Sequence, residues 1–148
     1  MANESAQTLS PAGRAVAAAT AIAAATPLVV AAELTPSPDG IGTHTALGLP
    51  ACGWQASMDL PCPSCGMTTA FAHTVRGDFL AAMTAQPAGM LVCLATAMLA
   101  VAAAYATLTG APLQRLAGPL FGYKVLWVGI VTLIASWGFK IAQAGGLL

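Results

Sequence analysis

The segment 61–66, with the sequence Pro-Cys-Pro-Ser-Cys-Gly, is the part of the chain best suited to chemistry. Its spacing brings the thiols of Cys62 and Cys65 close enough to form a disulfide or to bind one metal ion. Pro63 stiffens the chain between them, so less entropy is lost on bridging. If Cys65 opens a helix, the unpaired N–H groups of the first turn lower the pKa of a nearby thiol. The motif therefore predicts a disulfide, a redox-active dithiol or a metal site.

Two further candidate ligands lie upstream of this pair. His44 and Cys52, taken with Cys62 and Cys65, make a set whose types suit zinc or a softer ion such as copper(I), although their spacing matches no standard zinc motif. His44 in a turn-rich loop also fits a plain surface role. His73 is expected to stay outside the site, because a helix starting at Cys65 would carry it ~12 Å along the axis.

Other kinds of site are not supported by the residues present. Cys93 lies in an apolar stretch, where a cysteine serves as a small packing residue. No Ser-His-Asp set, phosphate-binding glycine loop or pair of catalytic carboxylates can be assembled, so no enzyme is predicted. Five basic residues balance five acidic ones and are scattered along the chain. This distribution argues against nucleic acid as a partner.

The composition indicates a protein that is embedded in a lipid bilayer. Of 148 residues, 57% are hydrophobic and only 7% are charged, whereas soluble domains carry roughly a quarter of charged residues. Since backbone polar groups in a bilayer must be paired internally, an all-α integral membrane protein is the expected class. We predict a single membrane domain over 1–148, with a polar N-terminus at 1–14 and the lipid bilayer as its only identifiable partner.

Three apolar runs are long enough to span a hydrocarbon core: 15–34, 88–108 and 125–142. The first is mostly alanine, and a cleaved secretory signal is the alternative interpretation. Its Pro27 is tolerated in a membrane helix, and small residues at a spacing of four, such as Ala17, Ala21 and Ala25, allow close helix packing. The last two runs are the clearer spans, and Trp127 and Trp137 lie near the ends of the third.

A Cys-rich loop over 35–65 and a short helix over 66–85 separate the first two spans. Met67, Phe71, Val75 and Phe79 recur every four residues, which predicts one amphipathic helix. This helix is too polar to cross the membrane, so an interfacial or re-entrant position is expected, and Pro87 separates it from the second span.

The basic residues predict the orientation in the membrane. Arg14, Arg115 and Lys124 lie at one side of the predicted bundle, and Arg76 and Lys140 at the other. The positive-inside rule then favours a cytoplasmic N-terminus and a multi-pass protein of the cell (inner) membrane. The Cys-rich loop would then lie on the extracytoplasmic side, and disulfides persist there. In the opposite orientation the thiols would stay reduced, and metal binding becomes the better interpretation.

Around the cysteine pair the sequence resembles the family of small bacterial membrane proteins called domain of unknown function 2752, over roughly 44–87. Three positions depart from its pattern: Ser64 replaces a common Gly, Thr69 a common Arg, and Gln86 the Asn before the proline. The resemblance implies a membrane protein with a Cys-x-x-Cys loop and implies no activity. The matching signature positions are Pro61, Cys62, Pro63, Cys65, Gly66, Met67, Thr68, Ala70, Gly77, Asp78 and Pro87.

Three functions remain open at this point. The first is a structural or accessory membrane protein in which the cysteine loop is a disulfide or metal staple. The second is thiol–disulfide exchange through Cys62 and Cys65. The third is binding or handling of zinc or copper through Cys52, Cys62 and Cys65, with His44 as a further ligand. Cys52 is the residue that distinguishes them, because it favours a site of more than two ligands. A disulfide between Cys52 and either Cys62 or Cys65 would explain its presence equally well.

Overall fold

The computed structural model describes residues 8–58, 60–112 and 122–145, and within these ranges the protein contains helices and no strand. The prediction of an all-α protein is therefore confirmed. A single 3₁₀ turn, Thr43–Leu47, lies between the first two helices. The helices are α1 (Pro11–Glu33), α2 (Gly53–Met58), α3 (Met67–Thr74), α4 (Phe79–Ala85), α5 (Pro87–Thr109) and α6 (Tyr123–Ala144).

Helices α1, α5 and α6 are long and apolar enough to cross a membrane, as predicted. They have 23, 23 and 22 residues and mean hydropathies of 2.0, 2.1 and 1.8. At 1.5 Å per residue each is roughly 33–35 Å long, slightly more than a hydrocarbon core of about 30 Å. Helix α1 begins before the predicted 15–34 span because the Ser10 hydroxyl caps it, accepting a hydrogen bond from Gly13 N at 3.2 Å. It continues through Pro27.

Helices α1 and α5 form an antiparallel pair held by close packing of small side chains. Ala17, Ala24 and Ala31 are buried at seven-residue intervals on α1, and Ala103 and Ala106 are buried on α5. Such residues let two backbones approach closely where lipid removes the hydrophobic drive for association. The backbone N–H of Leu9 donates to Gly110 O at 2.7 Å and closes one end of the pair.

An arginine side chain donates hydrogen bonds to helix carbonyls at each end of the α1–α5 pair. Arg14 on α1 donates to the carbonyls of Thr107 and Leu108 on α5, at 3.0 and 2.9 Å. At the opposite end, Arg76 donates to Ala31 O at 3.1 Å and to Ala32 O at 2.7 Å, two carbonyls in the last turn of α1. These guanidinium groups satisfy helix C-terminal carbonyls that have no partner within their own helix. Along α1 they are separated by roughly 26 Å, close to the thickness of a bilayer core.

The prediction of a single helix over 66–85 is wrong, because the segment forms two helices, α3 and α4. Gly77 adopts a left-handed conformation with φ 80°, and the N–H groups of Gly77 and Asp78 donate to Thr74 O and His73 O, both at 3.0 Å. The Asp78 carboxylate then caps α4 by accepting from Ala81 N at 3.1 Å. The apolar repeat runs through this turn and conceals it. The two helices form a hairpin packed on α5, and α3 also contacts α1.

The end of α6 joins the bundle beside the cysteine loop. The Ala88 N–H at the start of α5 donates to Ser136 Oγ at 3.0 Å. Trp137 Nε1 donates to Pro61 O at 3.0 Å, and its ring meets Trp54 edge-on with centroids 6.4 Å apart. Because α1 and α6 run parallel and α5 returns between them, the cysteine loop, the α3–α4 hairpin and the end of α6 share one side of the bundle.

Candidate metal and thiol site

Three cysteine sulfurs converge in the loop. The Sγ atoms of Cys52, Cys62 and Cys65 all lie within 4.8 Å of one another, and those of Cys62 and Cys65 are 3.1 Å apart. Cys52 and Cys62 are half-buried, whereas Cys65 is buried. The structure thus brings together three of the four ligands considered from the sequence, including the distant Cys52.

A tight turn shapes the Cys-x-x-Cys segment. Cys65 N donates to Cys62 O at 3.0 Å, and Cys62 N donates to the Cys65 sulfur at 3.2 Å. Helix α3 begins only at Met67, so the expectation that Cys65 opens the helix is wrong: Gly66 intervenes as the N-cap residue. The amide that faces the Cys65 sulfur therefore belongs to the turn and not to the helix.

Gly66 allows this turn to lie directly against the protein backbone. Its φ is 88°, and a Cβ atom at this position would lie 2.6 Å from Ala85 O and 2.8 Å from Gly40 O. Contacts this short exclude any side chain. This close approach fixes the cysteine turn between the end of α4 and the loop that follows α1.

Gln86 is a supporting residue that sequence reasoning missed. Its side chain is fully buried, and Nε2 donates to Pro63 O at 2.8 Å, in the middle of the cysteine motif. Its Oε1 has no hydrogen-bond partner among the described residues. Gln86 thus ties the motif to the junction of α4 and α5. The only signal in the sequence was its position before Pro87, where the family pattern has Asn.

His44 lies in the same cavity as the three cysteines but is not part of the sulfur cluster. The cavity has a volume of about 420 Å³ and is lined by His44, Cys52, Cys62 and Cys65 among others. His44 Nε2 is 3.2 Å from Pro50 O. Pro50 lies two residues before Cys52, so His44 contacts the segment that leads to this cysteine.

Thr69 connects two further parts of the cavity wall. Its hydroxyl is fully buried and lies 2.8 Å from the hydroxyl of Thr43, which in turn accepts from Ser37 N at 2.9 Å. Thr69, one of the positions that depart from the family pattern, therefore links α3 to the loop that precedes it.

The two thiols of the motif differ in acidity. Burial raises the pKa of Cys62, but hydrogen bonds from Ser64, Cys65 and Cys52 outweigh it and bring the pKa to about 7. For Cys65, burial and the hydrogen bond with Cys62 raise the pKa to about 12. At neutral pH the outer sulfur is thus partly a thiolate, while the inner one carries its proton.

The remaining candidates lie elsewhere. His73 Nδ1 is 3.2 Å from Asp78 Oδ2, so the histidine joins the two helices of the hairpin and stays outside the sulfur cluster, as expected. Cys93 is buried within α5, also outside the cluster. Both residues have structural contacts that account for them.

Comparison with known families supports the resemblance seen around the motif. Residues 52–100 match the model of a family described as Protein of unknown function (DUF2752). This stretch includes the three clustered cysteines, the α3–α4 hairpin and the first half of α5. No curated protein and no solved structure matches the chain.

Proposed function

Since residues 52–100 belong to the DUF2752 family, whose description assigns no activity, we propose a function from the geometry: Cys52, Cys62 and Cys65 bind one soft metal ion, zinc or copper(I). The convergence of the third sulfur carries this proposal. A disulfide or an exchanging dithiol needs two cysteines, and neither requires Cys52 to lie within 4.8 Å of both others.

The spacing of the sulfurs suits such an ion. With metal–sulfur bonds of about 2.3 Å, sulfurs around one ion are separated by roughly 3.8 Å. The Cys62 and Cys65 sulfurs are 3.1 Å apart, and the Cys52 sulfur lies within 4.8 Å of both. The expected separation of about 3.8 Å falls between these two distances. Shifts of less than about 1 Å would therefore complete the site.

Metal binding would also act as a staple. Helix α2 follows Cys52 directly and has no buried residue, so few contacts hold it to the bundle beyond the Trp54–Trp137 pair. A bond from Cys52 to an ion shared with Cys62 and Cys65 would connect α2 to the cysteine turn. The structural role considered from the sequence then becomes a consequence of metal binding.

His44 would complete a tetrahedral zinc site, because zinc favours four ligands and His44 lines the same cavity. Copper(I) accepts soft sulfur ligands alone. We therefore expect His44→Ala to weaken zinc binding by about tenfold or more and to leave copper(I) affinity nearly unchanged. Competition titrations with both ions on the two proteins measure the difference.

The main test is metal stoichiometry and affinity in detergent for the wild type and for Cys52→Ser, Cys62→Ser and Cys65→Ser. We expect one ion per chain, with affinity reduced at least about 100-fold in each variant, since each loses a metal ligand. Cys93→Ser is the matched control and should bind as the wild type does. Absence of stoichiometric binding, or full affinity in Cys52→Ser, would overturn the proposal.

Thiol–disulfide exchange is the second candidate, supported by the 3.1 Å sulfur separation and by the greater exposure of Cys62 than of Cys65. Here Cys62 attacks a partner disulfide and Cys65 resolves the mixed disulfide. The two thiols lose two electrons and two protons, and the partner becomes a dithiol. This activity would survive Cys52→Ser and be lost in Cys62→Ser, so the same variants separate the two candidates.

A further inference from the structure

A second cavity lies on the same side of the bundle and shares no lining residue with the cysteine cavity. It has a volume of about 360 Å³ and is formed by the loop after α1, the α3–α4 hairpin and the end of α6. The polar residues facing it include Ser37, His73, Thr84, Lys140 and Gln143.

Lys140 is the unusual member of this group. Its side chain is only 8% exposed, and among the described residues no carboxylate forms an ion pair with it. Within the described ranges its Nζ makes one long hydrogen bond, 3.5 Å to Gln143 Oε1, and it lies 3.8 Å from where a Cβ on Gly40 would stand. A buried ammonium without a counter-charge is costly, and in membrane proteins such residues mark ligand sites.

The nearby groups leave the positive charge of Lys140 available. Cys65 interacts electrostatically with Lys140, but it does not line this cavity. Asp78 is engaged by His73 Nδ1. Asp39 also lines the cavity, but it is exposed at the rim, where solvent screens its charge.

Other polar groups could complete an anion site. Since Gln143 Oε1 faces the lysine, its amide N–H₂ remains to donate, and the hydroxyl of Ser37 lines the same wall. One charged donor and two neutral donors around a small cavity form the pattern expected for a phosphate site.

We propose that this cavity binds the phosphate group of a ligand at the membrane surface, with the Lys140 ammonium as its charged donor. A phospholipid headgroup and a free phosphate would present the same chemistry. The location at the end of a spanning helix makes both accessible.

The test has two arms on the full chain. Inorganic phosphate is titrated into protein in a phosphate-free detergent and followed by phosphorus-31 NMR. In parallel, native mass spectrometry compares retention of phosphatidylglycerol with that of diacylglycerol, which lacks the phosphate. Saturable binding in either arm supports the site, and the arm that binds identifies the source. Saturable binding in neither overturns the proposal.

The matched variants are Lys140→Met and Lys124→Met, at opposite ends of α6. Lys124 is exposed, so its variant should bind as the wild type does. Lys140→Met should bind about 10- to 100-fold more weakly, since it loses one charge-assisted hydrogen bond. Equal loss in both variants, or none in Lys140→Met, would contradict the proposal. If Lys140→Met fails to fold, Gln143→Leu keeps the charge and should weaken binding by several-fold.

Discussion

The acidity of Cys62 gives a prediction at the scale of a single residue. Its pKa of about 7 depends on hydrogen bonds that include the Ser64 hydroxyl, 3.3 Å from the sulfur. Because the thiolate is the nucleophile, alkylation of metal-free protein by iodoacetamide should rise with pH with a midpoint near 7. Ser64→Ala removes a group that favours the thiolate and should move the midpoint upward. Mass spectrometry of the modified peptide measures both.

Cys65 serves as the internal control in that experiment. With a pKa of about 12 it should stay unmodified through neutral pH. A wild-type midpoint close to that of an ordinary cysteine, or faster modification of Cys65 than of Cys62, would contradict the assignment.

Gly66 provides a second prediction at this scale. Gly66→Ala must tolerate a positive φ, which costs about 1–2 kcal/mol, and overlap with two carbonyl oxygens, which adds about 1–3 kcal/mol. Gly77→Ala shares the positive φ, but no described atom lies within 4 Å of its new Cβ. Thermal unfolding in detergent should therefore show a clearly larger loss for Gly66→Ala. Equal losses would mean that the close approach does not exist.

Among the helices, the link between the α3–α4 hairpin and α1 depends on Arg76. Its guanidinium donates to Ala31 O and Ala32 O, and also to Ala72 O at 2.7 Å. Arg76→Gln should cost about 1–2 kcal/mol, because hydrogen bonds from a charged group are lost at a partly solvated site. Hydrogen exchange should accelerate in the last turn of α1 and remain unchanged at its start.

Lys124→Gln is the control for this element, since Lys124 is exposed and no hydrogen bond of its side chain occurs among the described residues. It should leave both exchange and thermal stability unchanged. Uniform acceleration along α1 in Arg76→Gln would indicate general destabilisation and not the loss of a cap.

At the scale of the whole molecule, the distribution of basic residues predicts which end of the bundle faces the cytoplasm. Arg14 and Lys124 lie at one end of the bundle, Arg76 and Lys140 at the other, and Arg115 falls outside the described residues. With Arg115 counted at the first end, as in the sequence-based prediction, a majority of one predicts a cytoplasmic N-terminus. A membrane-impermeant maleimide applied to intact spheroplasts should then label the cysteines of Cys93→Ser protein.

A cysteine at the opposite end completes this experiment. Ala12→Cys, in a protein whose four native cysteines are serine, should react only after the membrane is opened. Labelling of Ala12→Cys in intact spheroplasts, with protection of the cysteine loop, would establish the reverse orientation.

Several features of the protein were determined by the sequence alone. Composition and the length of the apolar runs were sufficient for the all-α class and for three helices able to span a membrane, since these depend on local hydrophobicity. The closeness of Cys62 and Cys65 follows from their separation along the chain. The break at Gly77 was also encoded locally, but the four-residue apolar repeat favoured one continuous helix.

Only the tertiary structure decided which distant residues meet. It brought Cys52 to the cysteine pair, placed the Gln86 amide on Pro63 and buried Lys140 beside Gly40. It also brought Trp137 into contact with Pro61, 76 positions earlier in the chain. These contacts depend on how the helices pack, and small residues such as the alanines of α1 offer many equivalent faces for packing. Periodicity cannot select among such faces, whereas the packed bundle leaves one arrangement.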